Sequence, residues 1–135
     1  MDMGEAVSGP LFAVGLGCRA GADAGAVVAL IEAALTQVGG AAFGLFTIEA
    51  KAGEPALIEA AEKLAIPLKG LAPADLAAAS DRAVTRSDRV IAMFGVPSVA
   101  ETAALVGAGP GSTLVLPRIQ AHGVACAVAK PFETS

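Results

Sequence analysis

Short apolar runs alternate along the chain with longer stretches of helical period, and glycine, proline or a capping residue separates most neighbouring pairs. Leu11-Phe12-Ala13-Val14 reads as a buried strand, and the seven residues from Gly15 to Gly21 read as a glycine turn after it. Asp23 then caps a helix to about residue 38, with Val27, Leu30, Ile31, Ala34, Leu35 and Val38 at helical spacing and Gly39-Gly40 as its stop. A second strand covers 43–48, and Pro55 at a first helical position opens a helix to about residue 65. A weaker strand over 66–71 and a short helix over 73–79 follow. Ser87 caps a helix over 88–94 that Gly95 closes, and Ser98 with Glu101 forms an S-x-x-E capping box for the next helix. Residues 113–116 form a fourth strand with Pro117-Arg118 as its exit, and 124–129 a fifth.

Strands that alternate with helices predict a single three-layer α/β domain over 11–131, built on a mostly parallel sheet of about five strands. Residues 1–10 and 132–135 read as tails. In such sheets ligands bind beyond the carboxyl ends of the strands. The pattern places residues 15–21, 51–54, 98–101 and Arg118 at that edge, where two helix N-termini, Arg19, Lys51 and Arg118 make a site for several carboxylates.

Composition narrows the field. The 135 residues are 55% hydrophobic and 32 of them are alanine, which favours closely packed helices. No apolar run reaches the about 18 residues of a membrane span, and the first ten residues carry no positive charge for a signal peptide, so a cytoplasmic protein away from membranes is expected. A net charge of -4, no Trp and no Tyr argue against nucleic-acid binding. Cys18 and Cys126 are too isolated for a disulfide framework or zinc site, and the single His122, beside Gly123, reads as an exposed loop residue, so neither a metal nor a cofactor is expected.

Several motifs carry competing readings. Gly15, Gly17 and Gly21 follow G-x-G-x-x-x-G, one residue longer than a dinucleotide fingerprint, and Glu49 ends the next strand where a ribose-binding acid would lie, which leaves a nucleotide-binding module as a minor alternative. Arg82, Arg86 and Arg89 read as a solvated basic face. A thiol at Cys18, beside Arg19 and a helix N-terminus, would have a lowered pKa, but with no partner base it reads as a small buried hydrophobe. Glu101 and Glu54 are the carboxylates available to activate water, with glycine-turn N–H groups as an oxyanion hole.

Four stretches taken together, Gly15-Leu16-Gly17-Cys18-Arg19, Lys51-Ala52-Gly53-Glu54, the run from Gly95 to Leu105, and Ala125-Cys126-Ala127-Val128-Ala129, resemble the CobE family, shared with the C-terminal domain of CbiG, over about residues 11 to 130. The resemblance implies a role in cobalamin biosynthesis and a precorrin or corrin intermediate as ligand. Macrocycles with many acetate and propionate side chains match a carboxylate-binding edge. Longer CbiG-type proteins open the δ-lactone of cobalt-precorrin-5A and release acetaldehyde, so a hydrolase step is the alternative to simple binding or delivery. By this resemblance the chain is expected to correspond to the C-terminal domain of those proteins. It carries Arg118 where the family pattern has lysine and Ala125 where it has threonine. The site expected is Gly15, Gly17, Cys18, Arg19, Gly21, Lys51, Glu54, Gly95, Val96, Ser98 and Arg118 for substrate binding, with Glu101 as the catalytic candidate. Other cobalamin-pathway enzymes and a second copy of the chain are the expected protein partners.

Overall fold

The structure is a computed structural model and describes residues 9–132. Five strands form one sheet in the order β3-β2-β1-β5-β4. They are β1 (Leu11–Cys18), β2 (Ala41–Ile48), β3 (Leu68–Leu71), β4 (Thr113–Ala121) and β5 (Val124–Lys130). Strands β1, β2 and β3 are parallel, and β5 runs antiparallel to both β1 and β4. Four of the five strands therefore point the same way and one is reversed. The mostly parallel α/β domain expected from the alternation is the fold observed.

Helices cover both faces. Helix α1 (Ala24–Val38) links β1 to β2, and α2 (Pro55–Leu64) links β2 to β3. The side chains of β1 alternate across the sheet, and Phe12, Val14 and Leu16 pack with Val27, Leu30, Ile31 and Ala34 of α1, together with Val124, Cys126 and Val128 of β5. On the opposite face lie α3 (Pro73–Ala78), α4 (Asp88–Phe94) and α5 (Val99–Ala108). There β1 presents Ala13, Gly15 and Gly17, β5 presents Ala127 and Ala129, and α5 answers with Ala100, Ala103 and Ala104. Small residues on all three elements let α5 lie unusually close to the middle of the sheet. A Cβ on Gly15 would overlap the Ala100 carbonyl oxygen and meet the Ala104 amide nitrogen.

That close approach corrects the first turn. Strand β1 does not stop at Val14, because Gly15 and Gly17 are strand residues paired with Ala127 and Ala125 of β5. A glycine inside a strand marks a backbone approached closely from above, and here the approaching element is α5. Only residues 19–23 form the turn. Local capping signals hold as expected: the Asp23 side chain accepts from Ala26 N, Ser87 from Val90 N, and Gly39 and Gly95 close their helices in the left-handed conformation.

The end of the chain differs more. Residues 117–118 are not the exit of β4, which continues to Ala121 and returns as β5 through a tight hairpin. His122 and Gly123 both have positive φ, 53° and 78°, as a two-residue turn between right-twisted strands requires. Pro117 is tolerated because β4 bulges there, with Leu116 opposite Val128 but Ile119 opposite Cys126. Of the tails, residues 1–8 and 133–135 lie outside the described residues, while Pro10 belongs to the fold through its carbonyl, which accepts the Ala41 amide.

Candidate functional site at the carboxyl edge of the sheet

The reversed strand brings an unexpected element to the edge where β1 and β2 end. Because β5 starts beside the end of β1, with Val124 opposite Cys18, the His122-Gly123 turn sits next to the turn that follows β1. The Arg19 amide donates to the Gly123 carbonyl at 3.0 Å. The Arg19 side chain lies across Gly123 so closely that a Cβ there would meet Arg19 Cδ at 2.9 Å. His122 thus stands, exposed, beside Arg19, a proximity that no local sequence signal carries.

The third contributor comes from β2. After Ile48 a short 3-10 turn over Glu49–Lys51 leads to Glu54, whose Oε2 accepts from the Gly21 amide at 3.0 Å. Glu54 therefore closes the glycine turn instead of facing a ligand with both oxygens. The Arg19, Gly21 and Ala22 amides are all engaged within the protein, and Asp23 and Glu54 place two carboxylates at the start of α1. The backbone anion cradle expected at residues 15–21 is consequently not open, and side chains must provide the positive charge.

Arg19 and Lys51 follow the ends of β1 and β2, whereas Arg118, expected at the same edge as the exit of β4, lies in the bulge three residues before that strand ends. Arg19 is exposed and Lys51 and Arg118 are half-buried, and among the described residues none of them forms an ion pair. Lys51 is near enough to Cys18 to act on its thiol. Burial nevertheless dominates and pushes the Cys18 thiol up, with Lys51 opposing and Glu54 reinforcing the shift. The lowered pKa that Arg19 and the helix start would have produced is not found, and Cys18 has the character of a structural thiol.

On the α5 face the expected site residues divide by burial. Val99 packs over Gly17, which places the start of α5 at the same edge. Gly15, Val96, Ser98 and Glu101 are buried and offer a ligand no surface, whereas Gly95 is exposed as the left-handed cap of α4. Only half of the capping box forms. Ser98 Oγ accepts from the Glu101 amide at 3.1 Å, but the Glu101 side chain does not return to Ser98.

Glu101 turns instead into the interior. Oε1 accepts from the amides of Val84 and Thr85, both at 2.9 Å, and Oε2 accepts from the Thr85 hydroxyl at 2.7 Å and the Arg118 amide at 2.8 Å. The bulge at Pro117 is what releases the Arg118 amide toward α5. Burial alone would raise the Glu101 carboxyl, yet the bonds from Arg118, Thr85 and Val84 outweigh it and hold the pKa below the usual carboxylate value. A fully buried carboxylate that already accepts four hydrogen bonds stays ionised and has little capacity left to take a proton from water. Among the described residues no group of three or more His, Cys, Asp or Glu side chains is placed to hold a metal ion.

Fold and edge together define a small three-layer α/β domain in which the turn after β1 is joined by Glu54, from the loop after β2, and by the β4–β5 hairpin. Residues 12–129 match the family described as cobalamin synthesis G C-terminus. Protein CobE from Sinorhizobium sp is 37% identical over 127 residues, covering 92% of this chain and 82% of that protein. The crystal structure of CobE, a protein from the cobalamin (vitamin B12) biosynthetic pathway, matches with TM-score 0.86 and 31% identity over 96% of each chain. Cobalamin biosynthesis protein chiG from Agrobacterium tumefaciens matches with TM-score 0.73 and 33% identity, covering 90% of this chain and 99% of that one. The chain belongs to the cobalamin synthesis G C-terminal family, to which its resemblance in four sequence stretches had pointed, and is a cobalamin biosynthesis protein. No single helix among the described residues is long and apolar enough to cross a membrane.

Proposed function

We propose that the protein binds a precorrin or corrin intermediate by its acetate and propionate side chains at the carboxyl edge, and holds or delivers it without breaking a bond. The observation that carries this reading is the occupation of Glu101. Among the described residues Glu101 is the buried carboxylate, and it is spent on four internal hydrogen bonds, which favours cations that hold carboxylates over a base that activates water. Arg19, Lys51 and Arg118 provide the ligand's counter-charges, and the Arg19 fork is suited to a bidentate carboxylate contact. The exposed His122 turn lies beside Arg19. Family membership makes a pathway intermediate the natural ligand, and other pathway enzymes the natural recipients of what is held.

The test is titration with cobyrinic acid, a corrin whose acetate and propionate groups are free acids, followed by the corrin's own visible absorbance and by mass analysis of the recovered ligand. Saturable binding with the ligand recovered unchanged is expected. Stoichiometric lactone opening of a precorrin-5-type substrate would replace this reading with the hydrolase one.

A further inference from the structure

We propose that Glu101 is the positioning residue of the carboxylate site, acting through Arg118. This deepens the binding reading and rests on it. The bulge that frees the Arg118 amide has no partner in the β4–β5 ladder to fix it, and the bond to Glu101 Oε2 at 2.8 Å takes that place. The other oxygen of the same carboxylate holds the amides of Val84 and Thr85. One buried group therefore sets the arginine-bearing bulge of β4 against the 83–87 segment.

That segment depends on this anchor. From Ser80 to Gly95 no residue is fully buried, although Ala79 and Val96 on either side are. Besides Glu101, the tertiary bonds found for 80–87 are Arg82 Nη1 to the Ser112 carbonyl and the Ser87 amide to the Pro97 carbonyl. A stretch with so little buried surface takes its placement from hydrogen bonds, and three of them end on Glu101.

A Glu101→Gln substitution separates these duties, because glutamine keeps one acceptor oxygen and puts an NH2 donor where the second was. With the oxygen on Val84 and Thr85, the NH2 faces the Arg118 amide, donor against donor. Two measurements on the full chain test the proposal. Hydrogen exchange at the Arg118 amide should accelerate in Glu101→Gln while the β1 amides stay protected. In a double-mutant cycle with Arg118→Ala, read as cobyrinic acid affinity, Glu101→Gln should weaken binding about tenfold in the wild-type background, the factor corresponding to 1.4 kcal/mol. It should weaken it less than twofold once Arg118 is gone, since groups acting through one another are not additive.

Equal losses in both backgrounds, or an Arg118 amide that exchanges no faster, would overturn the positioning role while leaving the binding reading intact. Failure of the wild-type protein to bind cobyrinic acid would defeat both. Should Glu101→Gln not fold, Thr85→Val serves as the second variant. It removes one bond to Oε2 and leaves the Arg118 amide to the other lone pairs, so exchange should rise in 83–87 but not at Arg118, and the reverse pattern would count against the proposal.

Discussion

Replacing Gly15 with alanine tests the packing that builds the edge, and Gly17 provides a control two residues away on the same face. Neither glycine has a positive φ, so an alanine is compatible with the backbone at both positions and only the space differs. At Gly17 the nearest atoms to a new Cβ are Val99 Cβ at 3.8 Å and Cγ1 at 3.9 Å, an ordinary van der Waals contact. At Gly15 the obstacles are the Ala100 carbonyl and the Ala104 amide, which belong to the α5 backbone and cannot rotate away. The helix has to lift off the alanine-lined sheet and lose dispersion contacts along its length. Overpacking of this kind against rigid backbone costs about 3 kcal/mol, the upper part of the usual range. For a domain of this size that lowers Tm by roughly 10 °C. Gly17→Ala should lie within about 1 kcal/mol of wild type, on the stabilising side through its restriction of the unfolded chain. Urea unfolding followed by far-UV circular dichroism measures both. A Gly15→Ala protein as stable as Gly17→Ala would refute the close approach of α5 and, with it, the account of why β1 carries glycines.

Two further outcomes follow from charge and burial. Glu101 has a carboxyl pKa below its ordinary value of 4.5 in the folded protein, so it binds fewer protons there than in the unfolded chain; its stabilisation is complete above the unfolded value and is lost as pH falls through the folded one. The urea midpoint should therefore drop on acidification below about pH 4.5 more steeply in wild type than in Glu101→Gln, and equal acid limbs would contradict the assignment. Cys126, pushed up to about 12 by burial, should react with a thiol reagent at pH 8 only after unfolding, and the raised Cys18 more slowly than a free cysteine. Rapid alkylation of Cys18 in the folded protein would reopen its role as a nucleophile.

Features with local causes were legible in the sequence, and those with distant causes were not. Asp23 with Gly39 and Ser87 with Gly95 announce their helices because a cap is made within four residues. The glycines of β1 were read as a turn because glycine breaks strands in isolation, whereas their presence here answers a helix about 85 residues later, a tertiary relation invisible to local propensity. Pro117 misled for the same reason. Proline normally ends a central strand, but β4 is an edge strand with a bulge, and the proline lies in that bulge. The proximity of Glu54 to the turn after β1, and of Lys51 to Cys18, follows from the convergence of strand ends in a parallel α/β sheet. His122 is exposed in a turn as its neighbour Gly123 suggests, but its nearness to Arg19 depends on the reversed β5, which brings the hairpin to that edge. The S-x-x-E spacing predicts a capping role for Glu101, but the partners its carboxylate takes instead, Val84, Thr85 and Arg118, come from segments with no pattern to connect them.

The central claim is that the sheet edge recognises a corrinoid by its carboxylates, and it is tested most directly by comparing cobyrinic acid with its fully methyl-esterified form on the wild-type protein at two salt concentrations. Exposed and half-buried cations act over a Debye length of about 10 Å at 0.1 M salt and about 3 Å at 1 M. The free acid should therefore bind saturably at low salt and markedly more weakly at 1 M, and Arg19→Ala and Lys51→Ala should each weaken it further at low salt. The ester should bind weakly at both concentrations. Equal affinity for acid and ester, independent of salt, would contradict the account.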